Sequence, residues 1–469
     1  MVILREQKKV AKAIEEFGIR NTDYNILEKW NADIGIAVDI GTTTIAMTVL
    51  DLRKKELLGQ LSETNEQTRL GADVMMRIMH TVAGKSEELH QMVVCQIEQM
   101  AERILSEKLE KDKGLRNIQI CFSIVGNTTM CHLFLDKSVE KLAGYPFEPT
   151  YMGNYECTGS EIGMKQFGDA KIYVLSGIAA HVGSDALAVI GAEQIYQKDK
   201  VQLAVDLGTN AEIVLNNKGV IYVCSAAAGP AFEGKGIRCG MPARPGAITG
   251  VKISSGNGNI ILEHIRGAEV KGICGTGLVD LLAELRRCRL LQEDGYLLTY
   301  EEAGRQNIQP KLCSLLVERE EQHAFLLYRD EQRGKEVYIL QSDIRNAQLA
   351  KGAIQAGILA LLKESGVDFS EVDEIFVAGV LGSCMRQSNA VSIGLLPGIN
   401  ADMHFVGNAA GKGALYILTK EDFMKEMEQL AKEIHHVELV NLSEFQSLFL
   451  QSMNLNVWES LFVVGCESI

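Results

Sequence analysis

Two copies of one short motif are the most informative feature of this sequence of 469 residues. The first copy, IAVDIGTTT, spans residues 36–44, and the second, LAVDLGTN, spans residues 203–210. Each begins with an apolar run, which predicts a buried strand. An aspartate, an aliphatic residue and a glycine follow, and the glycine permits a tight turn whose backbone N–H groups can approach a phosphate. Because the motif occurs twice, the sequence predicts two similar units that bind the phosphates of one nucleotide from two sides.

The turn residues of the two copies are the candidate phosphate ligands. We assign this role to Gly41, Thr42, Thr43 and Thr44 in the first copy and to Gly208, Thr209 and Asn210 in the second. Asp39 and Asp206 stand at the predicted strand ends, 206 − 39 = 167 residues apart, which is about one domain length. Carboxylates suit Mg²⁺, either directly or through water, so both aspartates are candidate catalytic and metal-binding residues. An ordinary β-turn is the alternative interpretation of either copy alone.

The duplicated motif resembles the phosphate-binding turns of the superfamily of actin, sugar kinases and heat-shock ATPases. This resemblance implies an α/β fold, an actin-like ATPase with two ribonuclease-H-like halves around a nucleotide cleft. It also implies ATP and Mg²⁺ as ligands. In chain order we expect an N-terminal helix and connector at 1–33, a first half at 34–200, a second half at 201–420 with an insertion near 310–340, and a C-terminal helix and tail at 421–469.

Hydrophobic periodicity predicts the elements that surround the motifs. Helices are expected at 87–111, 183–196, 343–364 and 421–436, and strands at 35–39, 45–52, 118–125, 201–205 and 374–378.

The composition excludes several classes of partner. The formal net charge is −14 and the sequence pI is about 5.3, which argues against nucleic acid or an anionic membrane as a partner. No apolar run is long enough to span a bilayer, and the first 20 residues resemble an amphipathic helix without a signal-peptide core. We therefore expect a cytoplasmic protein. The 11 cysteines include no C-x-x-C pair, so no iron–sulfur cluster or zinc site is expected in this chain.

Two further glycine-rich segments are candidate parts of the nucleotide site. The segment GVLGS at 379–383 follows a predicted strand and matches the position of the adenosine loop in the superfamily, and its candidate residues are Gly379, Leu381, Gly382 and Ser383. A plain helix-starting turn is the alternative. The segment GICGTG at 272–277 does not match the dinucleotide fingerprint. It is expected to form a phosphate- or ribose-binding turn at a helix start, through Gly275, Thr276 and Gly277.

Asn127 and Glu233 are the remaining candidate catalytic residues. Asn127 follows a predicted strand, where it could orient water or Mg²⁺ near the terminal phosphate or could equally cap a helix. Glu233 lies in the segment 227–234 and is either a carboxylate of the cleft or an exposed loop residue.

A series of motifs, taken in order, resembles one family within this superfamily, the reductive activators of corrinoid proteins. The resemblance covers roughly residues 34–450 and rests on VGNTTM at 125–130, PF at 146–147, AAGPAFEG at 227–234, GICGTG at 272–277, AKGAI at 350–354, IGLLP at 393–397 and VGNAAG at 406–411. It implies a partner, a corrinoid methyl-carrier protein of a methyltransferase system. It also implies an activity, the coupling of ATP binding and hydrolysis to reduction of cobalt(II) to cobalt(I).

One departure from the family pattern concerns the electron source. Family members commonly carry an iron–sulfur domain at one terminus, whereas the 33 residues before the first predicted strand contain no cysteine and the C-terminal tail contains only Cys466. Either a separate donor, a ferredoxin or another low-potential reductant, supplies the electrons, or the chain has a different role, such as an ATPase chaperone for the corrinoid carrier. A homodimer is an open expectation.

Three other functions stay open at this stage. The first is an activator of 2-hydroxyacyl-CoA dehydratases, which places a cluster-binding cysteine three residues before Gly-Thr-Gly, where this chain has Gly272. The second is a small-molecule kinase, for which Asp185 would be the general base. The third is an actin relative with a structural or binding role.

Overall fold

The computed structural model describes residues 32–109, 118–379, 381–382, 385–456 and 458. Three features named above fall outside this part. They are Ser383, Cys466 and the N-terminal helix and connector predicted at 1–33, of which only residues 32 and 33 are described. Contacts within the chain define two compact units. The first contains the described residues up to Asp199 together with Lys218–Val223 and Asn408–His436, and the second contains Lys200–Asn217, Cys224–Gly407 and the described residues from Val437 onward.

The described residues before Val201 form six strands and four helices. The strands are β1 (Ile34–Ile40), β2 (Thr44–Asp51), β3 (Glu56–Thr64), β4 (Ile120–Gly126), β5 (Tyr155–Thr158) and β6 (Lys171–Val174). The helices are α1 (Val74–His80), α2 (Ser86–Leu109), α3 (Thr128–Phe134) and α4 (Ser184–Glu193).

The rest of the described chain contributes twelve strands and eight helices. The strands are β7 (Val201–Leu207), β8 (Ala211–Asn217), β9 (Val220–Ala226), β10 (Ala247–Ile253), β11 (Ile260–His264), β12 (Gly272–Ile273), β13 (Leu316–Arg319), β14 (Gln322–Asp330), β15 (Lys335–Leu340), β16 (Glu374–Ala378), β17 (Asp402–Gly407) and β18 (His435–His436). The helices are α5 (Gly275–Arg287), α6 (Tyr300–Arg305), α7 (Pro310–Cys313), α8 (Gln341–Ser365), α9 (Gln387–Ser392), α10 (Ala409–Thr419), α11 (Phe423–Ala431) and α12 (Phe445–Gln451).

Five strands of each large sheet share one topology, which confirms the α/β, actin-like fold class, and the sixth strand, β5 or β18, is added at opposite edges. The first has the strand order β3-β2-β1-β4-β6-β5 and the second has the order β17-β16-β7-β8-β9-β18. In each sheet the strand of the motif pairs antiparallel with the next strand in sequence and parallel with a strand that arrives after a crossover, β4 for β1 and β16 for β7. Because the carboxyl ends of parallel neighbours meet at one edge, each motif turn lies beside the end of a second strand.

Helix α2 covers one face of the first sheet because its apolar residues recur at helical spacing. Val93, Ile97 and Met100 are fully or almost fully buried in the core beneath the sheet. Burying a side chain of this size contributes about 1.5–3 kcal/mol relative to leaving it exposed, so this face is a main source of stability for the first unit.

Helix α10 comes late in the sequence but belongs to the first unit. It contacts α4, β1 and β4, and the Ser123 hydroxyl of β4 donates a hydrogen bond of 2.8 Å to the Ala414 carbonyl. The compact units therefore follow packing rather than chain order. The boundaries at residues 200 and 420, which divide the chain into two halves and a C-terminal segment, stay a prediction.

Two predicted helices end earlier than expected. The helix predicted at 183–196 ends at Glu193, because Gln194 adopts a positive φ of 55° that closes the last turn. The helix predicted at 421–436 is α11, which ends at Ala431 before the short strand β18. No helix in the described part of the chain is both long and apolar enough to cross a membrane.

We expect Gly413→Ala to destabilise the first unit. An added Cβ at Gly413 in α10 would lie 2.5 Å from the Ala188 Cβ and 2.6 Å from the Ala188 carbonyl oxygen of α4. Separating the two helices should cost about 1–3 kcal/mol, which exceeds the helix-propensity gain of about 1 kcal/mol. Denaturant unfolding measures the effect.

Gly304→Ala is the matched control, because Gly304 lies in helix α6 with nothing within 4 Å of the added Cβ. It should stabilise slightly or have no effect. Equal stability changes in the two variants would contradict the packing argument.

Candidate functional site

The first motif turn connects β1 to β2 and depends on its glycine. The Gly41 N–H donates a hydrogen bond of 2.9 Å to the Thr44 carbonyl, which closes the turn. A Cβ on Gly41 would lie 2.6 Å from that carbonyl oxygen, so a larger residue would force the turn open. Asp39, the residue before the last of β1, is partly exposed beside the turn.

Three buried polar side chains hold this turn from behind. The Asn65 amide donates a hydrogen bond of 3.0 Å to the Gly41 carbonyl. The Arg77 guanidinium donates to the Thr42 carbonyl, and the Asn127 amide donates to the Thr42 hydroxyl at 2.9 Å. The Asn65 backbone N–H also bonds the Thr43 carbonyl, at 2.8 Å. The turn is therefore fixed by side chains from three separate segments before any ligand binds.

Sequence reasoning missed Asn65 and Arg77. Asn65 follows strand β3 with no motif around it. The only signal at Arg77 was a single basic residue among the apolar residues of VMMRIM at 74–79. Neither feature predicts a contact with the turn, because the contact depends on how distant segments pack.

Asn127 is a helix cap and also a support for the first turn. Its side-chain oxygen accepts a hydrogen bond of 3.0 Å from the Met130 N–H at the start of α3, and its amide nitrogen is the donor to Thr42. The helix-cap interpretation is therefore confirmed. A role in orienting water or Mg²⁺ stays a prediction.

Asp185 lies in the first turn of α4, next to this edge of the first sheet. A Cβ on the preceding Gly183 would lie 2.4 Å from the Asn127 Cα, so the start of α4 and the end of β4 are in close contact. Burial raises the pKa of Asp185 to about 6, although backbone N–H groups of Gly183, Asp185 and Ala186 act to lower it. A carboxyl group with this pKa can exchange a proton near neutral pH.

The second motif turn connects β7 to β8 and carries a carboxylate. The Gly208 N–H bonds the Asn210 carbonyl at 3.1 Å. The Thr209 hydroxyl donates a hydrogen bond of 2.9 Å to Glu233 Oε1. Since this donation uses the hydroxyl hydrogen, the phosphate role predicted for Thr209 would depend on its backbone N–H. Glu233 is partly buried against the motif turn, so the alternative of an exposed loop residue is wrong.

The second carboxylate oxygen of Glu233 can accept a hydrogen bond or bind a cation. Glu233 Oε2 is buried and has no hydrogen-bond partner among the described residues. A buried carboxylate oxygen without a partner is costly, and a cation or a water bound to a cation would satisfy it. Asp206, at the end of β7, is partly exposed in the same unit.

The predicted adenosine loop lies directly beside the second turn. Ala378 of β16 pairs with Asp206 of β7. Gly379 follows with a positive φ of 89°, and a Cβ there would lie 2.6 Å from the Leu207 carbonyl oxygen and 3.0 Å from Asp206 Oδ1. A Cβ on Gly382 would lie 3.0 Å from Val377. Gly379 thus lets this loop pack against the end of β7, and Gly382 lets it pack against the end of β16.

The Gly-Thr-Gly segment starts helix α5, as expected, but its small residues serve packing. A Cβ on Gly275 would lie 1.8 Å from the Phe232 carbonyl oxygen and 2.8 Å from Leu381 Cδ1. The Thr276 hydroxyl donates a hydrogen bond of 2.9 Å to the Thr249 carbonyl, and a Cβ on Gly277 would lie 2.4 Å from the Ile248 carbonyl oxygen. Ligand binding by Gly275, Thr276 and Gly277 stays a prediction that rests on backbone N–H groups.

The residues of each unit fit Mg²⁺-ATP as the implied ligand. The first unit offers a glycine turn with a nearby aspartate, and the second offers a glycine turn, two carboxylates and a glycine-lined loop. Within the described ranges, no group of three or more histidine, cysteine, aspartate or glutamate side chains could hold a metal by itself. Mg²⁺ commonly binds through one or two carboxylates together with phosphate oxygens and water, which agrees with these residues.

Comparison with known proteins defines the class. Residues 34–198 match the family described as the RACo middle region, and residues 200–462 match the family described as the C-terminal domain of RACo, the ASKHA domain. The chain therefore belongs to the family of reductive activators of corrinoid proteins, within the actin-like ATPase superfamily. The family and the fold class predicted from the sequence are confirmed.

Three relatives agree with this family. The chain is 32% identical over 432 residues to the corrinoid activation enzyme RamQ of Eubacterium limosum, covering 91% of this chain and 71% of the relative. It is 25% identical over 455 residues to the [Co(II) methylated amine-specific corrinoid protein] reductase of Methanosarcina barkeri, covering 90% and 77%. A solved structure, the reductive activator for corrinoid, iron-sulfur protein, matches with a TM-score of 0.80 and 30% identity, covering 90% of this chain and 66% of that one. The chain thus spans just under two thirds of that solved protein.

We expect Asp185→Asn to change how stability depends on pH. The folded-state pKa of Asp185, about 6, is above its ordinary value of 3.8. The unfolded chain therefore releases this proton first, so the wild-type protein loses stability as pH rises from about 4 to about 6. The variant lacks this loss, and its stability relative to wild type should rise over that interval. Thermal unfolding from pH 4 to pH 7 measures the difference.

Asp169→Asn, which removes an exposed carboxylate from the same unit, is the control for the loss of one charge. A wild-type-to-Asp185→Asn difference that stays constant from pH 4 to pH 7 would refute the assignment.

Proposed function

We propose that this protein is an ATP-dependent reductive activator of a corrinoid methyl-carrier protein. It would couple ATP binding and hydrolysis to the transfer of one electron that converts cobalt(II) of the carrier to cobalt(I). The observation that carries the proposal is the pair of motif turns in a chain that belongs to this family. Each turn is held by its own side-chain hydrogen bonds. The names of both curated relatives, which refer to corrinoid activation and corrinoid protein reduction, support the same activity.

The proposal gives each turn a role in ATP binding. Backbone N–H groups of 41–44 and 208–210 would bind the phosphates, and the Thr42 hydroxyl, which accepts from Asn127, keeps its own hydrogen to donate. Gly379, Leu381 and Gly382 would contact adenosine, together with Ser383. Mg²⁺ supplies charge neutralisation on the phosphates when it is bound.

The carboxylates of the second unit would orient water around the metal. Asp206 lies beside Gly379 and Glu233 accepts from Thr209, which supports this role for both, and Asp39 would have the corresponding role in the first unit. The unpartnered oxygen of Glu233 supports this role, since an ion or its water would complete its hydrogen bonding.

ATP is needed because the reduction is energetically uphill. For a one-electron step, about 60 mV corresponds to about 1.4 kcal/mol. A separate low-potential donor, such as a ferredoxin, would provide the electron, and ATP-dependent rearrangement of the activator would raise the reduction potential of the cobalt in the bound carrier. A homodimer is part of the proposal and is tested by the mass in solution.

The deciding experiment follows ATP hydrolysis and the absorbance of a cobalt(II) corrinoid protein together. The mixture contains this protein, the carrier and a low-potential reductant, with ATP, with ADP or without nucleotide. We expect hydrolysis to increase when the carrier is added and cobalt(I) to appear only with ATP. Hydrolysis that does not respond to several such carriers, with no cobalt(I), would contradict the proposal.

Asp206→Ala should abolish turnover without unfolding the protein. Loss of a carboxylate that organises the metal should reduce the ATPase rate by roughly a hundredfold. Asp402→Ala is the matched control, because Asp402 is an exposed aspartate at the opposite end of the same sheet, the first residue of β17. Full ATPase activity in Asp206→Ala would exclude Asp206 from the site, and circular dichroism of both variants checks folding.

A further inference from the structure

Arg77 is a buried cation directly behind the first motif turn. It lies in α1, and none of its surface is exposed. Its guanidinium donates to the Thr42 carbonyl, to the Gly71 carbonyl at 3.1 Å and to Gln67 Oε1 at 3.2 Å. It also contacts the Met130 sulfur at 2.8 Å. All three guanidinium nitrogens therefore donate, and together these contacts fix the positions of α1, α3 and the turn relative to one another.

All of these acceptors are uncharged. No carboxylate among the described residues lies within ion-pair distance of Arg77. The nearest acidic influence is Asp73, which is exposed and whose carboxylate accepts from the Met76 N–H at 2.8 Å as the cap of α1. Burial lowers the pKa of Arg77 to about 10, and Asp73 acts weakly in the opposite direction. Arg77 remains charged at neutral pH, since this pKa is well above 7.

A buried charge without a counter-charge is rare, because the loss of hydration is not compensated. The group that Arg77 holds most directly is the backbone of the turn assigned to phosphate binding. An anion bound at the N–H groups of this turn would lie one peptide unit away from the guanidinium and would supply the missing negative charge. The buried positive charge is unfavourable in the unliganded protein, and a bound anion would compensate it. The charge therefore favours binding of an anionic ligand.

We propose that Arg77 is a positioning residue for the first phosphate turn, which it fixes through the Thr42 carbonyl, and that its buried positive charge is balanced by a phosphate group bound at residues 41–44. This inference rests on the proposed ATP site and adds to it a residue that contacts the turn rather than the nucleotide. It assigns the positive charge behind the first turn to Arg77.

The test compares Arg77→Met and Arg77→Lys with wild type. Isothermal titration with Mg²⁺ and the non-hydrolysable analogue AMP-PNP measures affinity. Arg77→Met should bind about tenfold more weakly, which corresponds to about 1.4 kcal/mol. Arg77→Lys should recover part of the affinity, because it keeps the charge but loses the planar set of donors that reaches several carbonyls. Pyrophosphate should raise the melting temperature of wild type clearly more than that of Arg77→Met.

Arg286→Met and Arg286→Lys are the matched controls. Arg286 is partly buried. Like Arg77, it donates to backbone carbonyls, those of Leu455 at 2.8 Å and Leu291 at 3.2 Å. It lies near the end of α5, about 16 Å along the helix from Gly275. Its variants should lose stability as an arginine-to-methionine or arginine-to-lysine change does, while their affinity for AMP-PNP and their response to pyrophosphate stay as in wild type.

The outcomes separate this inference from the proposed function. If wild type binds AMP-PNP and both Arg77 variants bind it equally well, with the same pyrophosphate response, the role of Arg77 is refuted and the ATP site stands. If wild type does not bind AMP-PNP, the ATP site and the role of Arg77 are both refuted. If Arg77→Met does not fold, Arg77→Lys against Arg286→Lys decides: equal affinities refute the inference, and a loss confined to Arg77→Lys supports it.

Discussion

The need to satisfy buried backbone carbonyls is the constraint on which the first half of the site depends. The first motif turn leaves the carbonyls of Gly41 and Thr42 facing the interior, where each needs a donor. Asn65 and Arg77 provide these donors. These bonds fix the geometry of the turn, and a preorganised backbone lowers the ordering cost of binding in the proposed phosphate site.

The two copies of the motif are alike in backbone and different in charge. Both begin with a buried strand that pairs antiparallel with the next strand and parallel with a distant one. The first turn is backed by the guanidinium of Arg77, whereas the second contacts the carboxylate of Glu233. The shared motif therefore fixes the backbone of each turn, and the side chains packed behind each turn set its local charge.

Predictions from the sequence were accurate where the signal is local. Strand β16 begins and ends where expected, and α8 differs from its prediction by at most two residues at either end. They were less accurate at helix ends such as that of α4. Its last turn is closed by the positive φ of Gln194, and the sequence has no glycine there to indicate the end. The predictions did not find Asn65 or Arg77, because the turn residue that each contacts is 24 or 35 positions away in the sequence. Hydrophobic period carries no information about such partners.

The sequence by itself determined the duplicated strand and turn, the α/β class and the family, because apolar runs, turn glycines and ordered motifs are local properties of the chain. Only the tertiary structure decided which side chains support each turn, that Glu233 contacts Thr209, and that α10 belongs to the first unit. These depend on close packing and on pairing of buried polar groups between distant segments. The same residue types would serve equally well elsewhere, so their identity alone does not reveal their partners.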